Sequence, residues 1–203
     1  MNKQKPQIVI IHGGDSFATN EAFYTALRRW TYDPYKPERK RWRDALVGNL
    51  VHSHEFIIPD MPCKQNADYT AWSIWFGKMV PYFRNGVILV GHSLGGAFLL
   101  RYLTENKLPV TIAQLHLIAP VIDNVDCKDI GGFKIDVAIW PGFAGSIESV
   151  HLWHSTDDMY VPIHHSERFQ AVYPAATLHR FTNRGHFLTE SFPELELVIK
   201  SPH

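Results

Sequence analysis

A three-layer α/β sandwich, with helices on both faces of a mostly parallel sheet, is the architecture predicted by this 203-residue sequence. The main observation is that short, continuous apolar runs rich in β-branched residues alternate with stretches of helical periodicity. Such runs are typical of parallel strands that are buried on both faces. No linker rich in Gly, Ser or Pro and no internal repeat interrupts the alternation, so one domain over residues 1–203 is expected.

Six short apolar runs predict the strands. They are QIVIIH (7–12), EFIIP (55–59), GVILVG (86–91), IAQLHLIAP (112–120), SVHLWH (149–154) and ATLHRF (176–181). Apolar residues at helical spacing predict helices at 20–30, 41–50, 69–83, 94–106, 163–173 and from 191 onwards. Thr19 or Asn20 is expected to cap the first of these helices.

Two segments are longer than ordinary connections and are predicted to be insertions: 31–53 and 122–149. Long excursions at strand ends often build binding pockets, and surface packing is the alternative for such segments. The basic run KPERKRWR (36–43) lies in the first insertion, where we expect a solvated helix start or loop.

Composition narrows the classes of protein that fit. Lys plus Arg and Asp plus Glu both number 20, so no global field favours nucleic acid or acidic lipid. No apolar stretch is long enough to span a membrane, and IVII near the amino terminus is too short for a signal-peptide core. With only two cysteines, reduced thiols and a cytoplasmic location are expected.

The pentapeptide Gly91-His92-Ser93-Leu94-Gly95 lies where a buried strand ends and a helix begins. So sharp a turn forces strained backbone at the serine, and glycines two positions away remove Cβ atoms that would clash. The spacing matches the Gly-x-Ser-x-Gly nucleophile elbow, which exposes a serine hydroxyl at a helix amino terminus. Phosphate-binding turns are disfavoured because they use other glycine spacings.

A serine nucleophile requires a base and an orienting acid, which follow such an elbow in the order Ser, Asp or Glu, His. The sequence meets that order. Asp157 and Asp158 follow the strand predicted at 149–154, and His186 lies in a loop after the strand predicted at 176–181.

Five motifs together resemble the α/β hydrolases, and within them the compact serine hydrolases similar to retinoblastoma-binding protein 9 and its bacterial relatives. The motifs are IIHGG, IIPDMP followed by a helix with Trp72 and Trp75, VILVGHSLGGAFLLRYLTEN, STDDMYVP and RGHF. They span nearly the whole chain. In such hydrolases the acid begins an Asp-x-x-Val-Pro pattern, which here selects Asp158 and leaves Asp157 to cap a turn or the following helix.

The predicted site needs donors for an oxyanion and a pocket for the acyl group. The donors expected are the backbone N–H groups of Leu94 and Gly14, with Asp15 as the alternative to Gly14. Apolar pocket walls are assigned to Phe17, Trp140 and Phe143.

The remaining histidines are assigned to other tasks. His12 is expected to order the oxyanion loop by hydrogen bonding, and His92 to be structural. The surface is the expected location of His52, His54, His164 and His165, and no convincing metal site is predicted.

The sequence therefore predicts a cofactor-independent serine hydrolase whose partner is a small acyl substrate, most readily an ester because an alkoxide leaves more easily than an amine. An amidase, peptidase or acyltransferase would use the same residues. From a different class, the alternative is a protein-interaction module on a hydrolase scaffold, with a protein partner.

Overall fold

The computed structural model describes residues 4–35, 37, 39–142, 145 and 147–201, without the side chains of 141 and 142. Its centre is a six-stranded, all-parallel sheet with the strand order β2-β1-β3-β4-β5-β6. The strands are β1 (Gln7–Ile11), β2 (Glu55–Ile57), β3 (Val87–His92), β4 (Ile112–Ile118), β5 (Ile147–Ser155) and β6 (Thr177–Phe181). All six predicted strands are confirmed, with their ends within two residues of the prediction.

In the described part of the chain, six α-helices connect or follow these strands, at the places that the sequence predicts. They are α1 (Asn20–Arg29), α2 (Trp42–Leu50), α3 (Tyr69–Gly77), α4 (Leu94–Glu105), α5 (His164–Val172) and α6 (Pro193–Lys200). The Thr19 hydroxyl caps α1 by accepting the Ala22 N–H. The helix predicted to 83 ends early, at Gly77, and a 3₁₀ turn follows at Val80–Tyr82. Pro81 explains the early end because it has no N–H to continue the helical hydrogen bonds.

The sheet divides the core into two layers, because alternate side chains of a strand point to opposite faces. Val9 and Ile11 of β1 pack with the aromatic residues of α3, α4 and α5. Ile8 and Ile10 pack on the other face with α2 and α6. The predicted three-layer arrangement is therefore confirmed.

Helix α1 lies outside both core layers, since none of its residues is buried. Its larger apolar side chains, Tyr24 and Leu27, are 45% and 47% exposed, and Trp30 beyond its end is 41% exposed. Among the described residues, no helix is long and apolar enough to cross a membrane.

The packing of α4 against β1 yields a stability prediction. A Cβ on Gly95 would lie 2.4 Å from the Ile11 carbonyl oxygen and 2.6 Å from that of His12. We expect Gly95→Ala to lower the free energy of unfolding by roughly 3 kcal/mol or more, because rigid backbone must shift. Urea denaturation measures the effect.

Gly48 provides the matched control, because a Cβ there has no atom within 4 Å and the residue lies inside α2. Gly48→Ala should raise stability by about 0.5–1 kcal/mol through helix propensity alone. Equal stability of Gly95→Ala and the unmodified protein would contradict the described crossing of α4 over β1.

Candidate active site

The turn between β3 and α4 holds Ser93 in a strained conformation, with φ 54° and ψ −119°. A Cβ on Gly91 would lie 2.7 Å from the Gly95 carbonyl oxygen, so only glycine lets the turn close. The Ser93 N–H donates to the Ile118 carbonyl at 2.8 Å, which ties the turn to β4. Persistent strain of this kind is found mainly at functional sites, because the surrounding structure must maintain it.

The turn opens into a cavity of about 710 Å³ at the carboxyl ends of the strands. Strand order reverses between β1 and β3, and in open α/β sheets ligands bind at such a reversal. Among the predicted site residues, the structure brings Ser93, Leu94, Gly14 and His186 together on the cavity wall.

Asp158 follows β5 and is buried behind the cavity wall, where it contacts His186. The His186 Nδ1–H donates to Asp158 Oδ2 at 2.7 Å. The other carboxylate oxygen, Oδ1, accepts the N–H groups of Tyr160 at 2.8 Å and Val161 at 3.0 Å. With Nδ1 protonated toward the carboxylate, the neutral ring presents a lone pair on Nε2.

Asp157 is the other candidate acid, and it makes a different set of contacts. Its Oδ1 accepts the Ser155 hydroxyl at 2.5 Å and the Gly185 N–H at 2.9 Å. Asp157 thus ties the end of β5 to the loop just before His186, and Asp158 is the carboxylate that contacts the imidazole.

Electrostatics keep Asp158 ionised. Burial alone raises its pKa, but the hydrogen bond and charge of His186 and two backbone N–H groups outweigh burial, so the pKa lies below its ordinary value. His154 braces the same loop, since its Nε2–H donates to the Val161 carbonyl at 2.8 Å and its Nδ1 accepts the Ser166 hydroxyl at 2.7 Å.

Two further histidines hold the backbone of the site. His92 Nε2–H donates to the His186 carbonyl at 2.9 Å, and the two rings are 4.9 Å apart. His12 Nε2 accepts the Met61 N–H at 2.9 Å, which leaves Nδ1–H to donate to the Gly13 carbonyl at 2.6 Å. Both contacts agree with the structural tasks that the sequence analysis assigns to these rings.

The backbone donors predicted for an oxyanion differ in availability. Leu94 is the first residue of α4, and the first N–H groups of a helix have no partner within it. The Asp15 N–H donates to the Lys64 carbonyl at 2.9 Å and is therefore occupied. Gly14 lines the cavity, and a Cβ there would meet the Lys64 oxygen at 2.6 Å.

The apolar pocket assignments need correction. Trp140 is 0% exposed and packs against Phe169 and Tyr173 of the core, so it does not line the cavity. Phe17 packs on Phe23 and also lies off the cavity wall. Phe143 lies outside the described residues. Aromatic side chains in an insertion bury readily in the core, and sequence alone does not distinguish the two locations.

Sequence reasoning missed several cavity residues in the two insertions. Arg41 and Arg43 of the basic run line the cavity and are only partly exposed, so the expected solvated location is wrong for them. Residues 126–130 of the second insertion also line the cavity. They lie upstream of Trp140 and Phe143, the two residues of this insertion that were predicted to do so. The run RWR at a helix start was the available signal for this location, because the single apolar residue indicates that this turn of the helix packs against the protein and brings the flanking arginines with it.

The surface location expected for His54 and His165 is also wrong, since both are buried. His165 Nδ1 accepts the Ile122 N–H at 3.3 Å, and its Nε2–H donates to the Val125 carbonyl at 3.0 Å. These bonds fix the start of the second insertion against α5. Within the described part of the chain, no group of three or more His, Cys, Asp or Glu side chains is placed to hold a metal ion.

Comparisons with known proteins bear on the fold. No protein-family model and no curated protein matches the chain. Among solved structures, the ydeN gene product from B. subtilis is 20% identical with a TM-score of 0.75, over 96% of this chain and 97% of that one. An esterase from Exiguobacterium antarcticum is 14% identical with a TM-score of 0.61, over 97% and 91%. A monoacylglycerol lipase from Paleococcus ferrophilus is 14% identical with a TM-score of 0.61, over 97% and 94%.

The chain therefore has the α/β-hydrolase fold. The fold that the sequence motifs imply is confirmed, and the narrower likeness to retinoblastoma-binding protein 9 stays a prediction.

His92 makes stability sensitive to acid. Burial first, then the charges of His186 and Arg41, lower its pKa to about 3, whereas the unfolded chain has the ordinary value of about 6.5. Between these values only the unfolded state takes up the proton, so stability falls as pH drops through that window. From pH 7 to pH 5, His92 should account for a loss of about 1–2 kcal/mol, allowing for partial solvation of the ring.

Urea denaturation at both pH values measures this loss. His92→Gln should reduce the difference in unfolding free energy between pH 7 and pH 5 by that amount, because glutamine does not titrate. The exposed His52 supplies the control, and His52→Gln should leave the difference unchanged. A His92→Gln protein as acid-sensitive as the unmodified one would be incompatible with a His92 ring that stays neutral in the folded protein.

Proposed function

We propose that this chain is a serine hydrolase that cleaves acyl esters through a covalent acyl-enzyme. The observation that carries the proposal is the 2.7 Å hydrogen bond to the buried Asp158 carboxylate from His186, which lines the same cavity as Ser93. A nucleophile, a base and an orienting acid all come from the chain, so the reaction requires no cofactor. The esterase and the lipase among the structural neighbours support a hydrolase on this fold.

In the proposed mechanism the Ser93 hydroxyl attacks the ester carbonyl while His186 Nε2 takes its proton. The ionised Asp158 fixes the tautomer of the ring and stabilises the imidazolium. The oxyanion accepts hydrogen bonds from the N–H group of Leu94, at the amino terminus of α4, and from that of Gly14, in the loop after β1. His186 then protonates the departing alkoxide. In the second half of the reaction His186 Nε2 takes a proton from water, the water oxygen attacks the acyl carbonyl, and His186 returns the proton to the departing Ser93 oxygen.

The strained turn contributes to this mechanism. Ser93, held at a positive φ angle, lies on the cavity wall, and the amino terminus of α4 favours negative charge beside it. Three neutral histidine rings, at 12, 92 and 154, hold the surrounding loops without adding a competing charge.

The cytoplasmic location remains a prediction from the sequence.

The nucleophile is tested with a fluorophosphonate probe and 4-nitrophenyl esters of graded acyl length. Ser93→Ala should lose the covalent label and lower kcat by roughly 10⁶, because the three residues act as a unit. Labelling that persists in Ser93→Ala would disprove the assignment. Turnover of amides but not esters in a parallel amide panel would redirect the proposal to an amidase.

Substituting each of the two adjacent aspartates in turn tests which one orients His186. Asp158→Asn should lower kcat by roughly 10⁴, because an amide at this position favours the wrong imidazole tautomer. Asp157→Asn, which alters a contact to the Gly185 backbone, should cost less than about tenfold. Equal losses in the two variants would contradict the assignment of Asp158.

A further inference from the structure

The first insertion supplies two cations to the cavity wall. Arg41 lies just before α2 and Arg43 lies in its first turn, and both line the cavity shared by Ser93 and His186. The intervening Trp42 is 4% exposed and fixes this part of the helix. The backbone N–H of Trp42 donates to the Thr189 carbonyl at 2.8 Å, and Thr189 lies in the loop that carries His186.

Trp42 also places the two arginines beside the proposed reaction centre. Its ring meets the His92 ring edge-on, with centroids 6.4 Å apart, and His92 immediately precedes Ser93. The charge of Arg41 is close enough to contribute to the lowered pKa of His92, after burial and His186.

The other charges on the cavity wall are largely compensated. Lys64 Nζ lies 2.9 Å from Asp60, and Lys128 Nζ lies 3.2 Å from Asp15. Asp129 accepts the Gly131 N–H at 3.0 Å. The remaining carboxylate, Asp126, belongs to the second insertion and is exposed.

Within the described ranges, Arg41 forms no such ion pair. Its Nη1 is buried and has no hydrogen-bond partner among the residues that the structure describes. Asp44, the acid nearest in sequence, accepts the backbone N–H of Arg41 at 2.8 Å. Across the same described ranges Arg43 forms no ion pair, although its charge adds to the effect of Lys64 in lowering the pKa of Asp60.

Because neither Arg41 nor Arg43 is paired with a carboxylate of the described residues, the cavity wall carries positive charge that a ligand carboxylate would compensate. The planar fork of an arginine also matches a carboxylate with two parallel hydrogen bonds, as a lysine does not. We propose that Arg41, assisted by Arg43, binds a carboxylate group of the substrate, so that the substrate class is an acyl ester with a negative charge on its acyl or alcohol part. This inference rests on the proposed ester hydrolysis.

Two pairs of esters test the inference, each pair differing by one carboxylate. For the acyl side the pair is 4-nitrophenyl hydrogen adipate and 4-nitrophenyl hexanoate; for the alcohol side it is 4-carboxyphenyl hexanoate and phenyl hexanoate. We expect kcat/KM to favour the anionic ester at least tenfold in one pair, which identifies the side that carries the charge.

Arg41→Gln should reduce that preference at least tenfold, mainly by raising KM for the anionic ester, because the lost contact is made in the ground state. Arg41→Lys should retain part of the preference, and Arg43→Gln should weaken it less than Arg41→Gln does. The matched control is Arg39→Gln, which removes one positive charge from the same run at an exposed position off the cavity wall and should change the ratio less than twofold.

An unchanged preference in Arg41→Gln, or none in the unmodified protein, overturns the inference while ester hydrolysis stands. If the protein neither cleaves esters nor reacts with the fluorophosphonate, the proposed function fails, and calorimetry with free adipate then decides on the anion site. Adipate binding that weakens at least tenfold in Arg41→Gln supports the site. Binding that is absent, or equal in the two proteins, overturns it.

Discussion

The close crossing of α4 over β1 and β3 is the constraint on which the rest of the structure depends. Backbone approaches backbone so tightly at Gly91 and Gly95 that neither position has room for a Cβ. The same crossing forces Ser93 into a positive φ angle and directs it toward the cavity. Local strain is maintained here by two strands and a helix that bury most of their side chains, and this burial stabilises the conformation.

Around this rigid turn, the loops are held by histidines in the neutral state. His12, His92 and His154 each donate one ring N–H to a backbone carbonyl, and burial lowers the pKa of all three. A neutral imidazole satisfies two backbone or side-chain partners without a buried charge. His186 differs in that its partner is the carboxylate of Asp158, the arrangement that suits a proton acceptor.

The two insertions give the cavity its chemical character. The regular alternation of strands and helices supplies Ser93, His186 and their supports, which would suit many acyl substrates. Helix α2 brings Arg41 and Arg43 to one wall, and the segment 126–130 forms another. Under the proposed function, substrate selectivity would come from these segments outside the basic alternation, as is common for sites built on a rigid sheet.

The sequence by itself determined the elements, their order and the strand-helix turn at Ser93, because these depend on local periodicity and on residues within a few positions of each other. It also determined the chain order of serine, acid and histidine. The order alone left Asp157 and Asp158 open; the resemblance favoured Asp158, and the tertiary structure shows that the turn after β5 brings Asp158 to His186 and Asp157 to Gly185. Burial of Trp140 and the position of Arg41 on the cavity wall depend on how segments distant in the chain pack together, which the local sequence does not fix.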